Sequence, residues 1–245
     1  LERIIKYTEM EPFNQEMATG LTVCSNTTAL IKRSYESIRK FYPDMTIIIV
    51  DGSDPGSECS QYCQSIKSAR TRIMEMKYNI GHGRGMNAGM AWVATPLAVI
   101  FDSDIEMIAP PLEEMYKMMK PDTYGVGWIE IVGSDGFEYG VHEFHKQETP
   151  TKYLHPYFQL ISVGKYFKYP PYVHHGAPCF KTMNAIKKAG LSEQILLEFE
   201  GLGHTQGEGF NWRSRPSPYV LHETQGTRKD RRAKGIPEIE PGWEK

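Results

Sequence analysis

Short apolar runs punctuate the first hundred residues, and two of them stop on acidic turns. Thr46-Ile47-Ile48-Ile49-Val50 ends at Asp51-Gly52-Ser53-Asp54-Pro55-Gly56, and Leu97-Ala98-Val99-Ile100-Phe101 ends at Asp102-Ser103-Asp104. Runs this short, apolar at successive positions, predict strands buried on both faces, as in a parallel sheet. A third strand, residues 20–24, opens into Ser25-Asn26-Thr27, which offers helix-capping side chains. Residues 29–41 then space Leu30, Ile31, Tyr35, Ile38 and Phe41 near helical period, with Lys and Arg on the other face. Further along, the pattern predicts helices over 57–69, 110–119 and 182–189, and strands over 71–76, 124–132 and 218–222. Residues 4–7 read as a possible short strand of no assigned function. Strands alternating with helices predict an α/β chain with a mainly parallel sheet.

Composition changes this picture little. At 245 residues the chain suits one large domain, and with a net charge of −2 and 24% charged residues nothing draws it globally towards nucleic acid. The apolar runs are far short of a membrane span and no signal-like segment opens the chain, so a cytoplasmic protein is expected. The chain starts at Leu1 without Met, which leaves an upstream segment open. Cys24, Cys59, Cys63 and Cys179 form neither a disulfide framework nor paired zinc spacing. Cys59 and Cys63, four apart on a helix, read as packing residues of a protein kept reduced.

Candidate chemistry begins at Asp102 and Asp104. In extended geometry both point to one side at the carboxyl end of a buried strand, where open α/β sheets bind ligands. Two like charges that close call for a cation, and hard oxygen ligands favour Mg²⁺ or Mn²⁺ completed by nucleotide phosphates; a solvated loop is the alternative. Asn79-Ile80-Gly81-His82-Gly83-Arg84-Gly85 places glycines at every second position and predicts close backbone approach to a ligand. The dinucleotide fingerprint would need such glycines directly after the first strand, where Ser25-Asn26-Thr27-Thr28 stands, so a Rossmann dehydrogenase is set aside. A phosphate loop ending in Gly-Lys-Ser/Thr is absent, as is the basic glycine-rich loop that a nucleotidyltransferase normally carries near its first strand.

The ordered set Val50-Asp51-Gly52-Ser53, Asn79 with Gly81, Arg84 with Asn87 and Gly89, and Phe101-Asp102-Ser103-Asp104 resembles the nucleotide-sugar half of GT-A-fold glycosyltransferases, especially the inverting family 2. The likeness runs over residues 20–107. It implies a Rossmann-like, mixed but mainly parallel sheet flanked by helices in a single domain over 1–245. Residues 20–107 would form the nucleotide-sugar half, 108–223 the acceptor-binding and catalytic half, and 224–245 a basic tail. It further implies metal-dependent sugar transfer from a nucleoside diphosphate donor, UDP-linked for preference, to a glycan, lipid-linked or protein acceptor. Asp51 would contact the base, Asp102 the ribose, and Asp104 the metal. Ser25, Asn26, Ser53, Asn79, Gly81, Arg84, Asn87 and Ser103 complete the candidate donor set. Many relatives carry two acidic residues where this chain has Asp51-Gly52.

The second half holds the acceptor and catalytic candidates. Residues 134–172 gather His142, Phe144, His145, Tyr153, His155, Tyr157, Phe158, Tyr166, Phe167, Tyr169 and Tyr172. They fit either acceptor stacking or an irregular packed subdomain; the histidines lack a tight metal-ligand arrangement. His174 to Lys181 resembles the family's donor and acceptor loop. In Leu197-Glu198-Phe199-Glu200-Gly201, Glu200 matches the Glu of the family's Glu-Asp motif while Gly201 stands at the usual Asp base. Glu200 is the first candidate for the base, Glu198 the second and Glu208 the third; a retaining enzyme, or a binding module that has lost its base, is the alternative. Pro218-Tyr219-Val220-Leu221-His222 places His222 where the family has a C-terminal metal ligand. The basic run 227–234 offers Arg228 to the donor diphosphate, and a solvated tail or peripheral contact with an anionic membrane are its other readings.

Overall fold

The computed structural model describes residues 11–203, 216–222 and 233. Strand β1 (Ala18–Cys24) leads to helix α1 (Thr28–Phe41), β2 (Thr46–Asp51), α2 (Glu58–Ser65), β3 (Thr71–Glu75), α3 (His82–Met90), β4 (Leu97–Phe101) and the short β5 (Ile105–Met107). Next come α4 (Leu112–Met118), β6 (Gly125–Val132), β7 (Thr151–Ser162), α5 (Val163–Tyr166), α6 (Phe180–Lys188), α7 (Ser192–Ile195), β8 (Leu196–Glu198) and β9 (Val220–His222). The expected strand at residues 4–7 falls outside the described residues.

Seven strands form one sheet in the order β3-β2-β1-β4-β7-β6-β8, and β5 pairs with β9 in a separate two-stranded sheet. Strands β3, β2, β1 and β4 run parallel, β7 is antiparallel to both neighbours, and β8 is parallel to β6. The mixed, mainly parallel sheet is therefore as expected. Because β2 and β3 lie to one side of β1 and β4 to the other, the chain reverses its order between β1 and β4. Loops diverge there, and a crevice opens at the carboxyl ends of the strands.

Period two sorts the strands' side chains into two cores. Ile47, Ile49, Val99 and Phe101 pack with Ile31 and Ile38 of α1, Cys59 and Cys63 of α2, and Met115 of α4. Ile48, Val50, Ala98 and Ile100 pack on the opposite face with Met86 and Met90 of α3 and Met183 and Ile186 of α6. Helices on both faces explain why these strands are apolar at every position. No helix among the described residues is long and apolar enough to cross a membrane.

The largest departure from the sequence reading is β7. Twelve residues of the expected irregular region form a central strand, and Tyr153, Tyr157, Phe158, Tyr166 and Tyr172 are all buried. Pro156 is accommodated because the register against β6 shifts between Gly127 and Ile129, which relieves the ladder at a residue with no N–H to give. Phe144 and Phe167 are exposed, so the packed reading holds for most of the aromatics.

Candidate active site

Asp102-Ser103-Asp104 turns the chain from β4 into β5, directly beside the β1/β4 crevice. The turn is held from two sides: Asp102 N–H donates to Tyr157 O at 2.9 Å, and Ser34 Oγ of α1 donates to Asp102 O at 3.3 Å. β9 returns to pair with β5 in the register Ile105 to His222. That pairing sets the imidazole Nε2 3.4 Å from Asp104 Oδ1 and 3.7 Å from Asp102 Oδ2. Tyr157 stacks flat on His222, with ring centres 4.8 Å apart and planes 8° from parallel, and its hydroxyl donates to Gly203 O. One ligand atom from each of Asp102, Asp104 and His222 lies within 4.8 Å of the others.

This constellation fits a hard divalent ion. It offers two carboxylates and one imidazole, an acceptable set for Mn²⁺ or Mg²⁺, and both Asp104 and His222 are buried. Asp102 Oδ1 is paired with His82 Nε2 at 3.2 Å, and its Oδ2 faces His222 Nε2 at 3.7 Å.

His82, the first residue of α3, belongs to this site and was absent from the candidates. The one available signal was its place among the glycines of residues 81–85. Burial works against charge on His82 and His222, yet the carboxylates of Asp102 and Asp104 raise both imidazoles above the usual histidine value. Burial likewise opposes ionisation of Asp102, and the charges of His82, His222 and His155 overcome it and hold the carboxyl below its ordinary range.

The donor-side candidates gather on neighbouring loops. Ser25 Oγ donates to Gly52 O at 3.1 Å, Asn26 N–H donates to Ser53 Oγ at 2.9 Å, and Asn26 Nδ2 donates to Asp54 Oδ2 at 2.9 Å. The ends of β1 and β2 are thus tied into one platform, with Asn26 in the left-handed region at φ 56°. Ser103 is buried inside the Asp102–Asp104 turn. Asn79 closes a turn by accepting from Gly81 N–H at 2.8 Å, and Arg84 lies exposed on α3.

Several candidates also make structural contacts. Asp51 shares the face of Ile47 and Ile49 and is 2% exposed; its Oδ1 accepts from Ser53 N–H at 2.9 Å and lies 3.8 Å from Cys24 Sγ. The carboxylate lies beside Cys24 at the edge of the core that faces α1 and α2. Asn87 accepts from Tyr166 Oη and Tyr172 N–H and donates to Tyr172 O, pinning the 166–172 loop to α3. The glycines also meet protein rather than open space. A Cβ at Gly81 would fall 2.1 Å from His174 Nδ1, one at Gly83 2.0 Å from Val173 O, and one at Gly85 2.7 Å from Val23 Cγ1. These glycines allow close packing against β1 and the 173–174 loop.

In the second half of the chain, β6, the 136–139 turn and β7 line an open pocket of about 350 Å³ whose walls include Glu130, Phe137, Glu138, Tyr139, Tyr153 and His155. Glu130 is a second residue that the sequence reading missed. Its charge reaches His222 and helps raise that imidazole. Glu198 ends β8 and Glu200 follows it, both exposed. The turn after them lies against the triad's support, since Ser217 Oγ donates to Gly201 O and Tyr157 Oη to Gly203 O. Gly201 has a packing reason to lack a side chain: a Cβ there would be 2.5 Å from Tyr219 Cε2. His145 is fully buried, 3.0 Å from Asp135 through Nε2 and accepting from Gly140 N–H through Nδ1, a structural histidine. Glu208 and Arg228 lie outside the described residues.

A family model described as "Glycosyl transferase family 2" matches residues 21–185. A protein of Mycobacterium tuberculosis (strain CDC 1551 / Oshkosh) named "Putative glycosyltransferases" is 29% identical over 89 residues, which are 36% of this chain and 26% of that protein. This chain therefore spans about a quarter of the length of the curated relative it matches. Among solved structures, the mannosyltransferase PcManGT from Pyrobaculum calidifontis, in complex with GDP-Man and Mn²⁺, is similar with a TM-score of 0.54 at 16% identity, over 79% of this chain and 58% of that one. GalNAc-T7 with UDP, GalNAc and Mn²⁺ gives 0.57 at 13% identity, over 84% and 43%. S. aureus TarS 1-349 with UDP-GlcNAc gives 0.52 at 13% identity, over 83% and 57%. At these identities the likeness is one of fold.

Proposed function

The chain belongs to glycosyl transferase family 2, and from that premise we propose that it moves a sugar from a nucleoside diphosphate donor, UDP-linked for preference, to an acceptor hydroxyl with inversion. The observation that carries the proposal is the meeting of Asp102, Asp104 and His222 beside the β1/β4 crevice. Nucleotide sugars and Mn²⁺ in complexes of similarly folded proteins support it. Asp104 and His222, with Asp102 beside them, are the residues that would hold Mn²⁺ or Mg²⁺, which when bound supplies charge neutralisation for the departing diphosphate.

The chain's own residues do the rest. Ser25, Asn26 and the Gly52–Ser53 backbone shape the nucleoside platform, and His82 keeps Asp102 ionised and turned towards the crevice. An inverting transfer needs a carboxylate that takes the acceptor's proton as the new bond forms. Two compete for that role: Glu200, placed by the family motif, and Glu130, which lines the cavity and whose charge reaches His222. Thermal unfolding with UDP- and GDP-sugars, with and without Mn²⁺, tests the donor reading, because ligand affinity appears as added stability. A metal-dependent rise that disappears in Asp104→Ala supports it; no rise with any nucleotide sugar refutes it. Release of nucleoside diphosphate separates a transferase from a module that only binds. Either Glu130→Gln or Glu200→Gln should lower transfer by about 10²-fold or more while leaving donor binding intact; full activity in both variants excludes both carboxylates.

A further inference from the structure

Three cysteines that sequence spacing keeps apart meet in the fold. Cys24 closes β1, Asp51 closes β2, and Cys59 and Cys63 lie four apart on the buried face of α2. Cys24 Sγ is 3.8 Å from both Cys63 Sγ and Asp51 Oδ1, and one ligand atom from each of the four residues lies within 4.8 Å of the others. None of the four is more than 2% exposed. Zinc bound tetrahedrally at a Zn–S distance of about 2.3 Å sets its sulfurs about 3.8 Å apart, so one edge of such a site is already in place. The carboxylate is the telling member. Three thiols alone could be ordinary packing, but with Asp51 beside them the cluster offers four ligand atoms at coordinating distances, and the carboxylate, which accepts from Ser53 N–H, has no cationic side chain paired with it among the described residues.

We propose that Cys24, Asp51, Cys59 and Cys63 form a zinc site that ties α2 to the carboxyl ends of β1 and β2. With four protein ligands the coordination is closed, which marks a structural rather than a catalytic ion. Binding exchanges the thiol protons for the metal: each cysteine that becomes a ligand releases its proton to solvent, the carboxylate enters already ionised, and no electron is transferred. The ion would lie directly beneath the platform built by Ser25, Asn26, Gly52 and Ser53. It shares no ligand with the Asp102, Asp104 and His222 cluster, so the proposal does not depend on the sugar-transfer reading.

Elemental analysis of the full chain, purified under reducing conditions without added zinc, gives the first measurement. The expected result is about one zinc per chain, retained in Asp104→Ala and lost in Cys63→Ser and in Asp51→Asn. Cobalt titration of the demetallated, unsubstituted chain gives the second, and needs no variant to fold. Intense tetrahedral visible bands with a thiolate-to-cobalt charge-transfer band support the site. A metal-free protein that develops no thiolate band with cobalt overturns it, and so does a Cys24–Cys63 disulfide found by mass spectrometry in protein purified without reductant. Zinc that Asp104→Ala removes and Cys63→Ser leaves in place would assign the ion to the other cluster and also overturn it.

Discussion

Replacing Gly83 by alanine probes how α3 is seated. The added Cβ would lie 2.0 Å from the carbonyl oxygen of Val173 and 2.6 Å from its carbonyl carbon. Ordinary carbon-to-oxygen contact is near 3.3 Å, so helix and loop must separate by about 1.3 Å. The obstacle is backbone, not the end of a side chain that could turn away. Forced overpacking of this kind costs about 1–3 kcal/mol, against which alanine returns about 1 kcal/mol of helix propensity. The same movement also strains the Asn87 bonds to Tyr172, one loop residue away, which moves the balance towards loss. We expect a net destabilisation of about 2 kcal/mol, or a fall of about 4–8 °C in Tm for a chain of this size. Gly164→Ala is the control: it makes the same chemical change inside α5, where a Cβ would meet nothing within 4 Å. That variant should be neutral or slightly stabilising. Thermal unfolding followed by circular dichroism compares the two. Equal midpoints for Gly83→Ala and Gly164→Ala would refute the seating of α3 on the 173–174 loop.

Other measurements test the site and its supports. Asn87→Ala removes three hydrogen bonds at once and should cost about 2–4 kcal/mol, read by urea unfolding; a loss under 1 kcal/mol would mean that the 166–172 loop is held by other contacts. His222→Ala should abolish the Mn²⁺ dependence of nucleotide-sugar binding while leaving the sheet folded, as checked by calorimetric titration beside circular dichroism. The metal-free protein should be most stable at weakly acidic pH. His82 and His222 hold protons more tightly when folded, so their contribution is complete below the unfolded histidine value of 6.5 and is lost as pH rises through their raised values. Asp102 acts oppositely, adding stability above the unfolded carboxylate value of 3.8 that is lost as pH falls through its lowered one. Thermal midpoints in EDTA across this range check the shape, and a curve for His82→Ala with an unchanged alkaline decline would remove His82 from the account.

Much of the fold was legible because the relevant signals are local. Continuous apolar runs gave β2 and β4, and helical spacing gave α1 to within a residue of its observed start. Period two along β2 also bore on Asp51: it shares a side with Ile47 and Ile49, the side that packs on α1 and α2. β7 was hidden because Pro156 and the density of tyrosines read as irregular, whereas a register shift absorbs the proline and the rings fill the core. His82 and Glu130 escaped notice for a related reason. A histidine in a glycine run and a glutamate on a strand acquire meaning only when another segment comes to rest beside them. Asp104 and His222 were found together because the family likeness, not spacing, joins residues so far apart.

The ladder between β5 and β9 has a consequence for how competence is acquired. Residues 18–198 contain every strand of the large sheet, whereas His222 arrives through a three-pair ladder with β5. The scaffold can therefore be complete while the proposed cation site still lacks its imidazole. A chain cut just before Ser217 should keep its far-ultraviolet signature yet respond weakly to manganese. On the proposed metal-dependent reading, any event that peels residues 220–222 from β5 would turn the protein off without unfolding it.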